Sequence, residues 1–187
     1  MCNNGRVQGE TGLAYDNVRI SKYVNSRNNN RKRYLVGRSR FSPVVTEVVY
    51  KWFMLHRGMI FDPFAGGVTR GALAAIMGHR YVGCDINPKQ VDSNKELWHN
   101  YLQGHDVNGR VKWLNKDCKD FISDTKFDLV FTCPPYYNLE VYTDNPDDLS
   151  RSTSYKAFLL DYGYIIQKCY KLLKDNRFMV ISRSEER

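Results

Sequence analysis

From residue 41 onward the sequence predicts an α/β fold, a mostly parallel sheet with helices on both faces, and three observations predict it. Apolar runs of strand length alternate with longer runs of helical period. Proline and capping residues stand where the helical runs begin. The residues with the most chemistry fall directly after the apolar runs, where the strands of such a sheet expose their carboxyl ends.

The elements follow in order. "SPVVTEVVYKWFML" opens with Ser42 as N-cap and Pro43 at the first helical position, where a missing N–H is no loss. "GMIFDPF" is a short strand that ends in a turn, and "TRGALAAIMG" is a helix of small residues closed by Gly78. "RYVGCD" is a strand, "PKQVDSNKELWHNYL" a helix begun by Pro88, and "RVKWLN" a strand. "FDLVFT" must end as a strand at Thr132, because Pro134 and Pro135 each lack an N–H and lock φ. A long helix covers about Tyr155 to Leu173, and "RFMVIS" is the last strand. Phe178, Met179, Val180 and Ile181 are apolar without alternation, the pattern of a strand buried on both faces.

Length and composition bound the function. At 187 residues, 42% hydrophobic, the chain is one ordinary domain with an appended arm. No apolar run approaches the roughly 20 residues that cross a bilayer, and "MCNNGRVQGE" is not a signal peptide, so a soluble intracellular protein without membrane contact is expected. The odd count of 5 cysteines without a C-x-x-C pair, and histidines without ligand spacing, argue against disulfides and metal.

The charge is uneven. Residues 1–40 carry nine Lys or Arg against Glu10 and Asp16, a net +7 of the chain's +8. With "NSRNNNRKR" inside it, this stretch reads as a flexible basic arm suited to a phosphate backbone, or else as a tail that aids solubility.

Four strand ends carry the chemistry: "DPFAGG", "CD", "KDC" and "CPPY". Gly66 and Gly67 allow a tight turn and close approach of backbone to a ligand beside the next helix N-terminus. Asp85, roughly twenty residues further on, stands where a carboxylate accepts ribose hydroxyls. Together they point to an adenosine-type cofactor.

"DPFAGGVTRG", "GCDINPKQ", "NKDCKDF" and "TCPPYYNLE", in that order, resemble the amino-group DNA methyltransferases, the phage-type members above all. The resemblance covers about residues 41 to 182. It implies a Rossmann-like class I methyltransferase fold and transfer of a methyl group from S-adenosylmethionine to adenine N6 or cytosine N4. It also implies double-stranded DNA with a flipped target base as partner, and the cytoplasm of a bacterial host as location. By the same resemblance Asp62, Phe64, Ala65, Gly66 and Gly67 form the cofactor loop, Asp85 holds the ribose, and Asp117 approaches the cofactor's adenine amino group. Phe41 to Pro43 lie near its methionine part. Cys133, Pro134, Pro135 and Tyr136 form the catalytic turn.

That turn has a physical logic. The acceptor nitrogen is a poor nucleophile, so its hydrogens must be accepted and its lone pair aimed, and a rigid diproline turn presents the Pro134 carbonyl at a fixed spot. Tyr136 then offers a ring face for an extruded base. The chain departs from the family at Val68, where a second glycine is usual, and at Cys133, where Asp, Asn or Ser is usual. Cys133 as a covalent nucleophile fits less well, because the order is Cys-Pro and no activating base is nearby. The acids of "NLEVYTDNPDDLS" repel phosphates and read as a solvated loop capping the next helix.

Three classes remain open: a DNA amino methyltransferase, an RNA or protein methyltransferase, and a cofactor- or nucleic-acid-binding protein without turnover. The resemblance implies a seven-stranded sheet, yet only "RSEER" follows Ser182, so the last two strands are expected to be lacking. A truncated form, a homo-oligomer or a complementing second polypeptide is expected on that ground.

Overall fold

The computed structural model describes residues 41–102, 107–138 and 142–183; the expected basic arm, 1–40, lies outside the described residues. The elements are α1 (Pro43–Phe53), β1 (Met59–Asp62), α2 (Thr69–Ile76), β2 (Arg80–Asp85), α3 (Pro88–Leu97), β3 (Arg110–Asn115), β4 (Phe127–Thr132), α4 (Tyr155–Leu172) and β5 (Leu173–Ile181). The strands form one 5-stranded sheet in the order β3-β2-β1-β4-β5, and every pairing is parallel.

The helices begin where short polar side chains can cap them. Ser42 accepts from the Val45 amide, Asn87 from Lys89 and Ser154 from Ala157, each satisfying an N–H that has no partner within its helix. At its far end α3 passes into a π-helical turn, Trp98–Leu102, where the sequence suggests one continuous helix.

Both faces of the sheet are covered. On one, Phe131 of β4 packs edge-on against Tyr50 of α1, 5.8 Å between ring centroids, and against Phe41 at 5.4 Å. On the other, Phe61, Cys84 and Val130 meet Phe158, Ile165, Cys169 and Leu172 of α4 in one apolar core. Central β4 is buried at every residue, as a strand between two neighbours under two helical layers must be.

At the amino ends of the strands, buried Asp128 accepts the Met59 amide and the Lys174 ammonium, both at 2.8 Å, linking β1, β4 and β5.

β5 departs from the sequence reading. It starts at Leu173, directly on the end of α4, with an irregularity in its register against β4 and Asn176 at φ 55°. It is not buried on both faces: Phe178 is 53% and Ile181 38% exposed. Among the described residues β5 pairs only with β4, and Phe53 of α1 reaches Phe178 at 5.1 Å without covering it. An unalternating apolar run records how apolar a strand is, not what lies over it.

Candidate functional site

In this strand order the chain leaves β1 toward β2 and leaves β4 toward β5, so the loops after β1 and β4 diverge from adjacent strands and open a crevice at the carboxyl edge. The predicted loop Asp62–Gly67 and the predicted turn Cys133–Tyr136 flank that crevice. A hydrogen bond from the Thr132 hydroxyl to Asp62 Oδ1, 2.7 Å, ties their bases together.

Asp62 is fully buried and turned inward. Its Oδ1 also accepts the Phe64 amide at 3.2 Å, and its Oδ2 accepts Arg70 Nε at 2.6 Å and the Tyr81 hydroxyl at 2.7 Å. The structure therefore places Asp62 as the anchor of the loop, with both oxygens occupied by protein donors.

Arg70, which sequence reasoning passed over, completes that anchor. Its Nη2 donates to the carbonyls of Phe64 at 2.6 Å and Ala65 at 3.1 Å, and its guanidinium carbon lies 4.5 Å from the centre of the Phe41 ring. A buried cation is tolerated when it is paired and hydrogen-bonded in this way. Arg70 thereby joins Phe41, at the edge of the Phe41 to Pro43 segment, to the Gly-rich loop. The signal was available: a lone arginine on a helix otherwise made of small apolar residues, "TRGALAAI".

Gly66 adopts φ 51°, the left-handed region that glycine enters without strain. Its N–H donates to Asp85 Oδ2 at 2.8 Å, and its carbonyl accepts from Asn94 Nδ2 at 2.7 Å. A Cβ built on Gly66 or Gly67 meets nothing within 4 Å, so open space lies in front of the loop. Behind it the fit is close: a Cβ on Gly83 of β2 would stand 2.8 Å from the Ala65 Cβ.

Asp85 ends β2 and also accepts the Asn87 amide through Oδ1 at 2.8 Å. Burial pushes its carboxyl up to about 6, against the pull of the Asn87 and Gly66 N–H groups, and the negative charge of Asp62 pushes the same way. Asp117 follows β3 and caps the short turn Cys118–Asp120 through the Lys119 amide at 2.8 Å. Asn115 Nδ2 reaches the Asp85 and Ile86 carbonyls, each at 3.1 Å, which holds the ends of β2 and β3 side by side.

Beyond β4, Pro134 is buried and Cys133, Pro135 and Tyr136 are half-buried. Tyr137 packs on Tyr155 and Phe158 at 5.6 and 5.7 Å, which builds it into the aromatic cluster of α4. In the acidic segment, Asp148 is buried, caps the turn Leu149–Arg151 and accepts the Thr143 amide at 2.9 Å, where the sequence suggested a solvated loop capping the next helix; that helix, α4, is capped by Ser154 instead. The Tyr142 carbonyl accepts from Asn87 Nδ2 at 3.3 Å, drawing that segment toward the start of α3. Cys84 and Cys118 lie in the core, and burial raises both thiols, Cys84 to about 12.

No family model matches the chain. Among solved structures, TrmN from Thermus thermophilus superposes with a TM-score of 0.56 at 17% identity, over 78% of this chain and 39% of that one. A methyltransferase from Pyrococcus furiosus gives 0.56 at 12% identity, over 92% and 79%. The fold is that of a Rossmann-like class I methyltransferase. In sequence, 80 residues are 38% identical to the tRNA (guanine(10)-N2)-dimethyltransferase of Methanothermobacter thermautotrophicus, 41% of this chain and 21% of that protein. The chain thus spans about a fifth of the length of that curated relative. Among the described residues, no helix is long and apolar enough to cross a membrane.

Proposed function

We propose that this chain is an S-adenosylmethionine-dependent methyltransferase acting on an exocyclic amino group of a nucleobase in RNA. The observation that carries the reading is the pairing of the Gly-rich loop and the diproline turn on adjacent strand ends, tied by Thr132 and Asp62. The choice of RNA is supported by the tRNA methyltransferase relative, whose name specifies an exocyclic nitrogen, guanine N2.

The residues fit the cofactor. The open space in front of Gly66 and Gly67 admits a ligand against backbone, and the Asp85 carboxylate oxygens, each with one protein N–H, retain lone pairs for ribose hydroxyls. In this reading Gly66, Gly67, Phe64 and Ala65 cradle it, Asp117 meets the adenine amino group, and Phe41 to Pro43 border the methionine part. When bound, the cofactor supplies an electrophilic methyl group.

The rest of the work is done by this chain's residues. Pro134 presents its carbonyl to the hydrogens of the acceptor amine, and the fixed φ of Pro135 keeps the turn from swinging away. The half-buried Cys133 beside it adds a thiol, a weak acceptor. Tyr136 stacks on the extruded base and sets the plane from which the nitrogen lone pair points. Asp62 and Arg70 hold the loop in place.

DNA is the second reading, favoured by the ordered resemblance of the four motifs to amino-group DNA methyltransferases. Incubation with methyl-labelled cofactor and either unmodified tRNA or duplex DNA, followed by digestion to nucleosides, tests both. Label in an N-methylated ribonucleoside is expected. Label in N6-methyladenine or N4-methylcytosine of the DNA alone would move the assignment to the second reading. Cofactor binding without transfer to either would refute both.

A further inference from the structure

We propose that Asn94, on α3, is a positioning residue that sets the conformation of the cofactor loop, an inference that rests on the reading of that loop as the S-adenosylmethionine site. The loop needs such a device. Gly66 can adopt φ of either sign with little preference, and no packing acts on it from a side chain of its own. Its φ of 51° must therefore be held through its backbone groups. Both are held by side chains, from different elements: the N–H by Asp85 at the end of β2, and the carbonyl by Asn94 in the middle of α3.

Asn94 is an unusual residue for its place. It is fully buried in a helix interior, where asparagine is a poor helix former and a buried amide needs its partners. Its Oδ1 accepts from Gln90 Nε2 at 3.0 Å, one turn earlier on the same helix, which orients the amide so that Nδ2 meets Gly66 at 2.7 Å. The two clamps grip the peptide units on either side of the Gly66 Cα, so rotation that breaks the Asn94 contact also strains the Gly66 N–H contact to Asp85. Without Asn94 the loop samples conformers in which Asp85 and the loop backbone no longer face the ligand together. The apparent affinity then falls by the fraction of molecules that remain competent. Once the cofactor is bound, the loop is back in place and the chemical step is unaffected, so KM moves and kcat does not.

The test uses the full chain with Asn94→Leu, which preserves side-chain size and favours the helix, and Gln90→Ala, which removes the contact that orients the Asn94 amide. S-adenosylhomocysteine binding by calorimetry well below the melting temperature, and hydrogen exchange of the Gly66 and Gly67 amides, are the readouts. Asn94→Leu is expected to weaken binding about tenfold, the worth of one hydrogen bond to a part-buried carbonyl, and to speed Gly66 exchange, with Gln90→Ala shifted less in the same direction. A residue that merely supports the fold would lower the melting temperature and leave affinity and Gly66 exchange unchanged, and that outcome overturns the proposal. Should Asn94→Leu fail to fold, wild-type affinity and Gly66 exchange in Gln90→Ala would overturn it equally. If the wild-type chain binds no S-adenosylhomocysteine, the cofactor reading fails by itself, and Gly66 exchange still decides whether Asn94 holds the loop.

Discussion

Replacing Asp85 by asparagine separates what this residue does for the ligand from what it does to the fold. Burial pushes the Asp85 carboxyl up from its ordinary value of 3.8 to about 6 even though two N–H groups point at it. A folded-state value above the unfolded one means that the folded chain holds the proton more tightly. The stability linked to that proton is fully present below about pH 4 and is lost as pH rises through about 6. A pKa displaced by one pH unit corresponds to about 1.4 kcal/mol, so the ionised carboxylate costs at most about 3 kcal/mol at pH 8, and less after allowance for its partial exposure. The amide introduced by Asp85→Asn does not titrate but gives up one acceptor, worth about 1.5 to 3 kcal/mol when the acceptor is charged. The two effects nearly offset at pH 8, whereas at pH 5 the folded wild type has taken up most of its proton, the cost of ionisation falls to about half, and the loss outweighs it. Urea denaturation of both proteins at pH 5 and pH 8 should therefore show Asp85→Asn gaining about 1 kcal/mol relative to wild type between the two pH values, while its affinity for S-adenosylhomocysteine falls at pH 8. Identical pH dependence in the two proteins would show that Asp85 does not titrate in this range, and the burial argument would be wrong.

Other substitutions probe other parts of the site. Tyr136→Ala should leave cofactor affinity intact and reduce methyl transfer by the worth of base stacking, about 1 to 3 kcal/mol; equal loss of cofactor affinity would remove Tyr136 from the base platform. Gly66→Ala meets no steric obstacle, so its cost is the left-handed conformation alone, about 1 kcal/mol in denaturant melts, accompanied by weaker cofactor binding. Burial raises the Asp128 carboxyl, but the hydrogen bonds from Lys174 and the Met59 amide outweigh it, and the carboxyl ends below its ordinary value. Its contribution is present above the ordinary carboxylate range and lost as pH falls through the depressed value, so Asp128→Asn should flatten the acid limb of the stability curve in denaturant melts. Removing residues 1–40 deletes a net +7, so nucleic-acid binding should weaken and its dependence on salt become shallower; an unchanged slope would favour the solubility role.

The sequence alone determined the layers and the strands. "RYVGCD", "RVKWLN" and "FDLVFT" occupy β2, β3 and β4 with the bounds read from their pattern, because short apolar runs ended by Asn, Asp or Pro are local signals. It also located the site region, since parallel strands send every carboxyl end to one edge of the sheet, and that edge collects Asp62, Asp85, Asp117 and the diproline turn. Only the tertiary structure decided which of these face outward. Asp62 and Asp85 both end strands and look alike in sequence, yet Asp62 is spent on Thr132, Tyr81 and Arg70, whereas Asp85 holds the loop through backbone N–H groups and keeps acceptor capacity. Asn94 escaped because it is defined by a backbone carbonyl of a loop on another element, and nothing in a residue's local pattern names a partner 28 positions away, as Gly66 is from Asn94. The exposure of Phe178 was equally out of reach, because a hydrophobic pattern fixes a strand's tendency to be covered, while the cover itself is supplied by whatever the fold places beside it.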